Sequence, residues 1–184
     1  PEEREVRATV RKFAADRLRP FIADWFEDGT FPARDLAPDL GALGLLGMHL
    51  DGYGCAGMSA TAYGLACLEL EAADSGVRSM ISVQGSLAMF AIHHWGSEEQ
   101  REQWLPGMAA GDLIGCFGLT EPDFGSNPGG MRTTARRDGD DWVLDGDKIW
   151  IGNGGIADVT IVNAVVDPSL GTKGQAMFVV GRDT

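Results

Sequence analysis

Apolar residues recur at helical spacing through the first hundred or so positions. Val6, Val10, Phe13 and Leu18 alternate with charged residues, which predicts an amphipathic first helix that Pro20 brings towards its end. A second helical segment runs from Leu36 to Leu46 and closes at Gly47, and the Gly-rich stretch Asp51 to Gly57 reads as a loop. Ser59 is placed to cap a third helix, whose Ala62, Leu65, Ala66, Leu68 and Leu70 are too apolar for a surface element and predict an interior one. A further helix follows Ser75 and Gly76 and carries Ile81, Leu87, Met89, Phe90 and Ile92 as far as Trp95. Ser97 with Gln100 then forms a capping box for a short helix expected to stop at Pro106.

After Gly111 the periodicity shortens. Leu113 to Thr120, Thr133 to Arg137, Trp142 to Leu144, Lys148 to Ile151, Val159 to Val166 and Ala176 to Val180 are strand-like runs separated by turn residues. The dipeptide Asp145-Gly146 between two of them predicts a two-residue hairpin. The expected architecture is therefore α+β: an all-α domain over residues 1–110, then an antiparallel β domain over residues 111–184.

Composition narrows the function. With 44% hydrophobic and 23% charged residues the 184-residue chain can bury a core, in the manner of an ordinary soluble globular protein. The net charge of -12 comes without any run of Lys and Arg that would track a phosphate backbone, so nucleic acid is not an expected partner. No stretch approaches the length of a membrane span. Cys55, Cys67 and Cys116 stand apart, without a C-x-x-C pair or a His at ligand spacing, so no metal is expected and a reducing compartment fits best. They read as small apolar fillers. His49, His93 and His94 lack any motif and read as packed or surface residues.

The segment CFGLTEPDFGS, Cys116 to Ser126, concentrates the candidate chemistry. A strand runs into a turn stiffened by Pro122, where Thr120 and Ser126 offer hydroxyls and Gly125 permits close backbone approach. Read from its residues alone, this is one candidate polar-ligand loop among many of similar composition.

The run GCFGLTEPDFGS followed by WVLDGDKIWIGNGGIAD resembles the two flavin-contacting segments of acyl-CoA dehydrogenases, in the same order and separation. The similarity extends upstream through GYGCAGMSATAYGLACLELEAADSGVRSMISVQGSL and HHWGSEEQREQWLPGMAAGDL, so it covers nearly the whole chain. It implies FAD as cofactor, an acyl-CoA substrate and a β-barrel-like middle domain truncated at Thr184. It further implies an electron-transferring flavoprotein as oxidant and a homo-oligomer, a tetramer, when full length. The expected location is cytoplasmic, or the mitochondrial matrix in a eukaryote. By the same resemblance Phe117, Leu119 and Thr120 lie against the flavin ring, Gly125 and Ser126 sit where cofactor and acyl-CoA meet, and Trp150, Ile151 and Gly152 form the second wall. Gly152 departs from the Thr of the family's W-I-T-N motif, which leaves dehydrogenase against oxidase behaviour open. The family's catalytic base is a Glu in a C-terminal helical domain, so no catalytic residue is assigned in this chain.

Within the family the sequence most resembles the glutaryl-CoA dehydrogenase branch, through Glu71, Asp74, Arg78 and Ser79 in ELEAADSGVRSM. There the Arg-Ser pair recognises the distal carboxylate of the substrate, a task that suits a planar guanidinium. Val77 stands where a Tyr is often found. Taken without the resemblance, these residues read as Arg78 paired with Glu71 or Asp74 near a helix start. The alternatives are action on another short or carrier-bound acyl group, and an inactive binding protein of the same fold.

Overall fold

The computed structural model describes residues 2–184. They divide into two units between Ile114 and Gly115, the first built of helices and the second around a sheet.

In the helical unit, α1 (Glu2–Phe13) has acidic residues in its first turn and Arg11 and Lys12 in its last, the order that complements the helix dipole. A π-helical turn, Ala14–Leu18, extends it and buries Leu18. A short helix that the sequence pattern did not reveal, α2 (Ile22–Glu27), follows. Less than two turns give periodicity too little to work on, and aromatic packing holds the region instead. Phe21 stacks on Trp25 at 5.9 Å and Phe31 meets Trp25 edge-on at 6.4 Å.

Helix α3 (Ala33–Ala42) buries Leu36, Ala37 and Leu40. It ends four residues short of the expected Leu46, because Gly44 adopts φ 68 and reverses the chain. Leu45, Leu46 and Met48 reach the core from turns. The Asp51–Gly57 loop closes as expected, with the Gly57 N–H donating to Leu50 O at 2.9 Å.

Ser59 caps α4 (Ala60–Glu71) by accepting from the Ala62 N–H at 3.1 Å. This helix is not the interior element its composition suggested. Ala62, Ala66 and Leu70 are buried on the side that packs against α1, whereas Leu68 is 50% exposed. Glu69 is buried to 3% exposure and accepts from Arg7 Nε at 2.6 Å, Arg11 Nε at 2.9 Å and Arg11 Nη2 at 2.8 Å.

Asp74 caps the next stretch by accepting from the Val77 N–H at 3.0 Å. There α5 (Ser75–Ser82), a π-helical segment (Val83–Met89) and α6 (Phe90–Trp95) follow one another without a break, matching the expected helix to Trp95. Buried Gln84 donates from it to Met108 O at 3.0 Å and Leu113 O at 2.8 Å. Helix α7 (Glu98–Ala110) begins at the Ser97–Gln100 capping box but runs through Pro106, where it was expected to stop, to a left-handed Gly111. Pro106 and Glu102 are both exposed, so the carbonyl deprived of its helical bond is open to water.

The second unit is a five-stranded sheet of β1 (Gly115–Gly118), β2 (Thr134–Asp138), β3 (Asp141–Asp145), β4 (Val159–Val165) and β5 (Gln175–Gly181). Val159, Ile161 and Ala164 of β4 form its buried centre. The sheet is mixed rather than wholly antiparallel: β1 pairs parallel with β4, β2 touches β4 in parallel at Thr134↔Val165, and only β2–β3 and β4–β5 are antiparallel. Two further expectations change. The hairpin turn is Gly139-Asp140, with Gly139 at φ 64, and Lys148 to Ile151 is irregular rather than a strand. Asp145-Gly146 instead leads out of β3, with Gly146 at φ 148 pressed against Thr133.

Hydrogen bonds from Arg11 and Arg7 outweigh burial and hold the Glu69 carboxyl at about 2, below its usual 4.5. A depressed carboxyl stabilises the fold fully above its unfolded value and loses that contribution as pH falls towards the folded one. Glu69→Gln is expected to lower stability at pH 7 by about 2 kcal/mol, discounted for the exposed arginines. Denaturant titrations should show that difference between the two proteins shrinking from pH 4.5 down to about 2; a pH-independent gap would remove the ion cluster as its cause.

Candidate functional site

The candidate loop leaves β1 after Gly118. Phe117, Leu119 and Thr120 are half-buried there, and the Asn163 side chain donates to Gly118 O at 3.5 Å. Glu121 and Phe124 exchange backbone bonds at 3.2 Å across the Pro122 turn, which presents Gly125 and Ser126 to solvent. Gly125 has no heavy atom within 4 Å of the place a Cβ would occupy.

Glu121 organises this loop. Its Oε2 accepts from the Arg132 N–H at 2.6 Å, while Oε1 accepts from the Thr133 N–H at 2.9 Å and from Lys148 Nζ at 2.8 Å. Both charged side chains are shielded, at 5% exposure for Glu121 and 12% for Lys148. Burial alone would raise the carboxyl, but the bonds from Lys148, Thr133 and the backbone reverse the sign and hold it at about 2. The pair supports reading Glu121 as a structural member of the loop.

Lys148 carries the second segment to the first. It also donates to Leu119 O at 3.1 Å, and the next residue, Ile149, donates its N–H to Thr120 O at 2.9 Å. Leu119 and Thr120 are thereby fixed beside the start of the Trp150, Ile151 and Gly152 loop. Trp150 has φ 57 and is 89% exposed, and Asn153, at φ 65, donates from its side chain to Gly115 O at 3.2 Å. A left-handed backbone is uncommon for an aromatic residue and marks a conformation that its surroundings impose.

The donor set fits a planar aromatic ligand with a polar edge. The N–H groups of Leu119, Thr120, Trp150, Ile151 and Gly152 and the hydroxyls of Thr120 and Ser126 have no hydrogen-bond partner among the described residues. Half-buried backbone donors are ordinarily paired, so the open N–H groups of Leu119, Thr120 and Ile151, close in the chain to Phe117 and Trp150, suit a ring with hydrogen-bond acceptors along one side.

The other candidate residues lie in the helical unit. Glu71, at the end of α4, accepts from Ser75 Oγ at 2.7 Å and from Arg78 Nε. Arg78 reaches Ser82 Oγ from Nη1 at 3.5 Å, and its Nη2 has no partner among the described residues. Gly64, Cys67, Leu68 and Ala72 complete a shallow hollow around them. Asp74 is committed to its cap, and Ser79 is half-buried one residue beyond Arg78.

The histidines, Cys55 and Cys116 stay outside both groups of site residues, whereas Cys67 lines the hollow beside Arg78. His49 packs on Tyr63 at 4.9 Å, His94 on Phe90 at 3.9 Å, and His93 Nε2 bonds Asp51 O at 2.8 Å. Burial pushes the Cys55 thiol up to about 11 and the Cys116 thiol upward, which keeps both protonated and unreactive. Among the described residues no cluster suits a metal ion, and no helix is long and apolar enough to cross a membrane. The residue tying the two segments together that sequence reasoning missed is Lys148, which follows Asp147 and carries no motif of its own.

Two family models match the chain: acyl-CoA dehydrogenase, N-terminal domain, over residues 1–112, and acyl-CoA dehydrogenase, middle domain, over residues 116–184. The chain belongs to the acyl-CoA dehydrogenase family. This family consists of FAD-dependent oxidoreductases, and membership brings FAD with it as the cofactor. A crystal structure of glutaryl-CoA dehydrogenase from Mycobacterium smegmatis is 65% identical with a TM-score of 0.95, covering 100% of this chain and 46% of that one. Another, of a Mycobacterium smegmatis glutaryl-CoA dehydrogenase in complex with FADH2, is 60% identical, also with a TM-score of 0.95 and the same coverage. The mitochondrial short-chain specific acyl-CoA dehydrogenase of Bos taurus is 39% identical over 100% of this chain and 45% of its own length. The chain thus spans somewhat under half the length of these relatives.

Gly146 lets the backbone pass Thr133, where a Cβ would come within 2.5 Å of Oγ1 and 2.6 Å of Cα. Gly146→Ala is expected to destabilise the protein by about 1–3 kcal/mol and to weaken FAD retention, because Thr133 also holds Glu121. Thermal melts with and without added FAD would check both effects.

Proposed function

We propose that the protein is an FAD-dependent acyl-CoA dehydrogenase acting on glutaryl-CoA, oxidising it across the α and β carbons and releasing the distal carboxylate as CO2 to give crotonyl-CoA. The helical domain, residues 1–110, contributes the acyl-recognition residues and the β domain, residues 111–184, the flavin-contacting walls. FAD would be held by Leu119, Thr120 and Ser126 through N–H and hydroxyl donors, with Phe117 and Trp150 against the ring and Gly125, Ile151 and Gly152 giving close backbone approach. When bound, it supplies the acceptor for the hydride that leaves the β carbon. The fixed donors in this chain favour the negative charge that arrives with that hydride, and they need no reorganisation to do so. The base that takes the α proton is expected from a Glu beyond residue 184.

The glutaryl assignment is carried by Arg78. Glu71 fixes its Nε edge and Ser82 faces Nη1, leaving Nη2 for a substrate carboxylate, with Ser79 as a further donor. The 60–65% identity to glutaryl-CoA dehydrogenases against 39% to a short-chain enzyme points the same way. A second reading, action on an uncharged short acyl-CoA, is favoured by the fact that Arg78 already has a carboxylate partner. Reoxidation by an electron-transferring flavoprotein, assembly as a homotetramer and a location in the cytoplasm, or the mitochondrial matrix of a eukaryote, complete the proposal.

Assays of the full-length protein with glutaryl-CoA and butyryl-CoA test it. The wild type is expected to prefer the dicarboxylate and to release one CO2 per turnover. Arg78→Gln should lower kcat/KM for glutaryl-CoA by about 100-fold, roughly the loss on truncating one member of a desolvated charge pair, while butyryl-CoA turnover changes little. Equal losses on both substrates, or oxidation without CO2, would exclude the glutaryl reading.

A further inference from the structure

Lys148 has a geometry that a simple ion pair would not require. A pair with Glu121 alone would satisfy its charge, yet the ammonium also donates to the carbonyl of Leu119 at 3.1 Å. That carbonyl belongs to the peptide whose N–H is carried by Thr120. On the next peptide, Thr120 O accepts from the Ile149 N–H at 2.9 Å. Both carbonyls flanking Thr120 are therefore engaged from the Lys148 side, while the Thr120 N–H has no partner among the described residues. A cation on a peptide carbonyl draws electron density towards the oxygen and strengthens the N–H of the same peptide as a donor. The effect is large only where water is excluded, and Lys148 is only 12% exposed.

We propose that Lys148 is a positioning residue of the flavin site: it aligns and polarises the Leu119–Thr120 peptide, so that the Thr120 N–H favours the reduced, more negative cofactor over the oxidised one. Glu121 sets how much of that charge is felt. Its carboxylate shares Lys148 with the Leu119 carbonyl and is itself anchored by the Arg132 and Thr133 N–H groups. The inference rests on FAD binding by this family member and is independent of which acyl-CoA is oxidised.

The test uses the full-length FAD-loaded protein and measures flavin reduction potential, FAD dissociation constants in both redox states and the visible spectrum. Lys148→Met is expected to weaken binding of reduced FAD about tenfold more than that of oxidised FAD, lowering the two-electron potential by ~30 mV. Lys148→Arg should restore most of the difference. Glu121→Gln, which leaves the cation uncompensated, should move the potential in the opposite direction. If Lys148→Met does not fold, Lys148→Gln, which keeps a polar side chain and removes the charge, is expected to shift the potential in the same direction as Met.

A merely structural brace would loosen both redox forms alike. Equal weakening in the two states, or potential shifts of the same sign in the Lys148 and Glu121 variants, would therefore overturn the proposal. A wild type that shows no flavin band would instead strike at FAD binding itself, so the two failures are distinguishable.

Discussion

The irregular half of the sheet unit depends on one buried carboxylate. Removing Glu121 and Lys148 from water costs several kcal/mol per ion, and their attraction offsets that only when the remaining lone pairs and protons are also satisfied. Most of them are satisfied here: Glu121 accepts from two consecutive backbone N–H groups and from Lys148, and Lys148 donates a further proton to Leu119 O. Three stretches far apart in sequence, around residues 119–124, 132–133 and 148–149, are thereby fixed to a single point. Loss of either charge leaves the other buried and uncompensated, so the loops have no nearby alternative arrangement of similar energy.

That rigidity explains how an unfavourable backbone persists next to it. Trp150 and Asn153 both hold positive φ, each a strain of order 1–3 kcal/mol that surroundings must impose. The imposition comes from both sides of the segment: Ile149 is tied to Thr120 O and Asn153 to Gly115 O. Between those ties the chain is irregular and exposes the Trp150 ring, and the N–H groups of Trp150, Ile151 and Gly152 are unpaired among the described residues.

The helical elements could be read from sequence where periodicity or a cap was strong. Ser59 and the Ser97–Gln100 box each occupy the cap position in the structure, whereas Asp74, read from sequence only as a possible partner of Arg78, caps α5. α2 escaped because aromatic stacking rather than periodicity defines it, and α7 continued past Pro106 because an exposed carbonyl can turn to water. In the sheet unit each of the five strands falls within or overlaps a short strand-like run, although a sixth such run, Lys148 to Ile151, is irregular, and the pairing partners were not legible. The parallel β1–β4 pairing joins residues more than forty positions apart, and local pattern carries no information about such pairing. Asp145-Gly146 misled for the same reason: Gly146 is required by the close approach of Thr133, a tertiary demand that imitates a hairpin signal. The site loops were recognisable through their motifs. Lys148 was not, since nothing in its neighbours distinguishes a buried Lys from an exposed one.

Helix α4 supplies an internal control for the meaning of Arg78. It carries two glutamates, Glu69 and Glu71, two positions apart and so on roughly opposite sides of the helix. Glu69 is buried and saturated by two arginines that are themselves open to water, the arrangement expected when an acid is the structural centre and the cations merely neutralise it. At Glu71 the order is reversed: Arg78 is the more shielded member, at 32% against 46% for the glutamate. Behind the arginine stands a hydroxyl relay in which Ser82 Oγ accepts from Arg78, and Tyr63 Oη in turn lies 3.4 Å from Ser82 Oγ and 2.8 Å from Ser86 Oγ. Both members remain partly exposed, the guanidinium somewhat less so than the carboxylate. A guanidinium held at Nε and Nη1 beside a shallow hollow, with Nη2 unpartnered among the described residues, supports the proposed recognition of a second carboxylate.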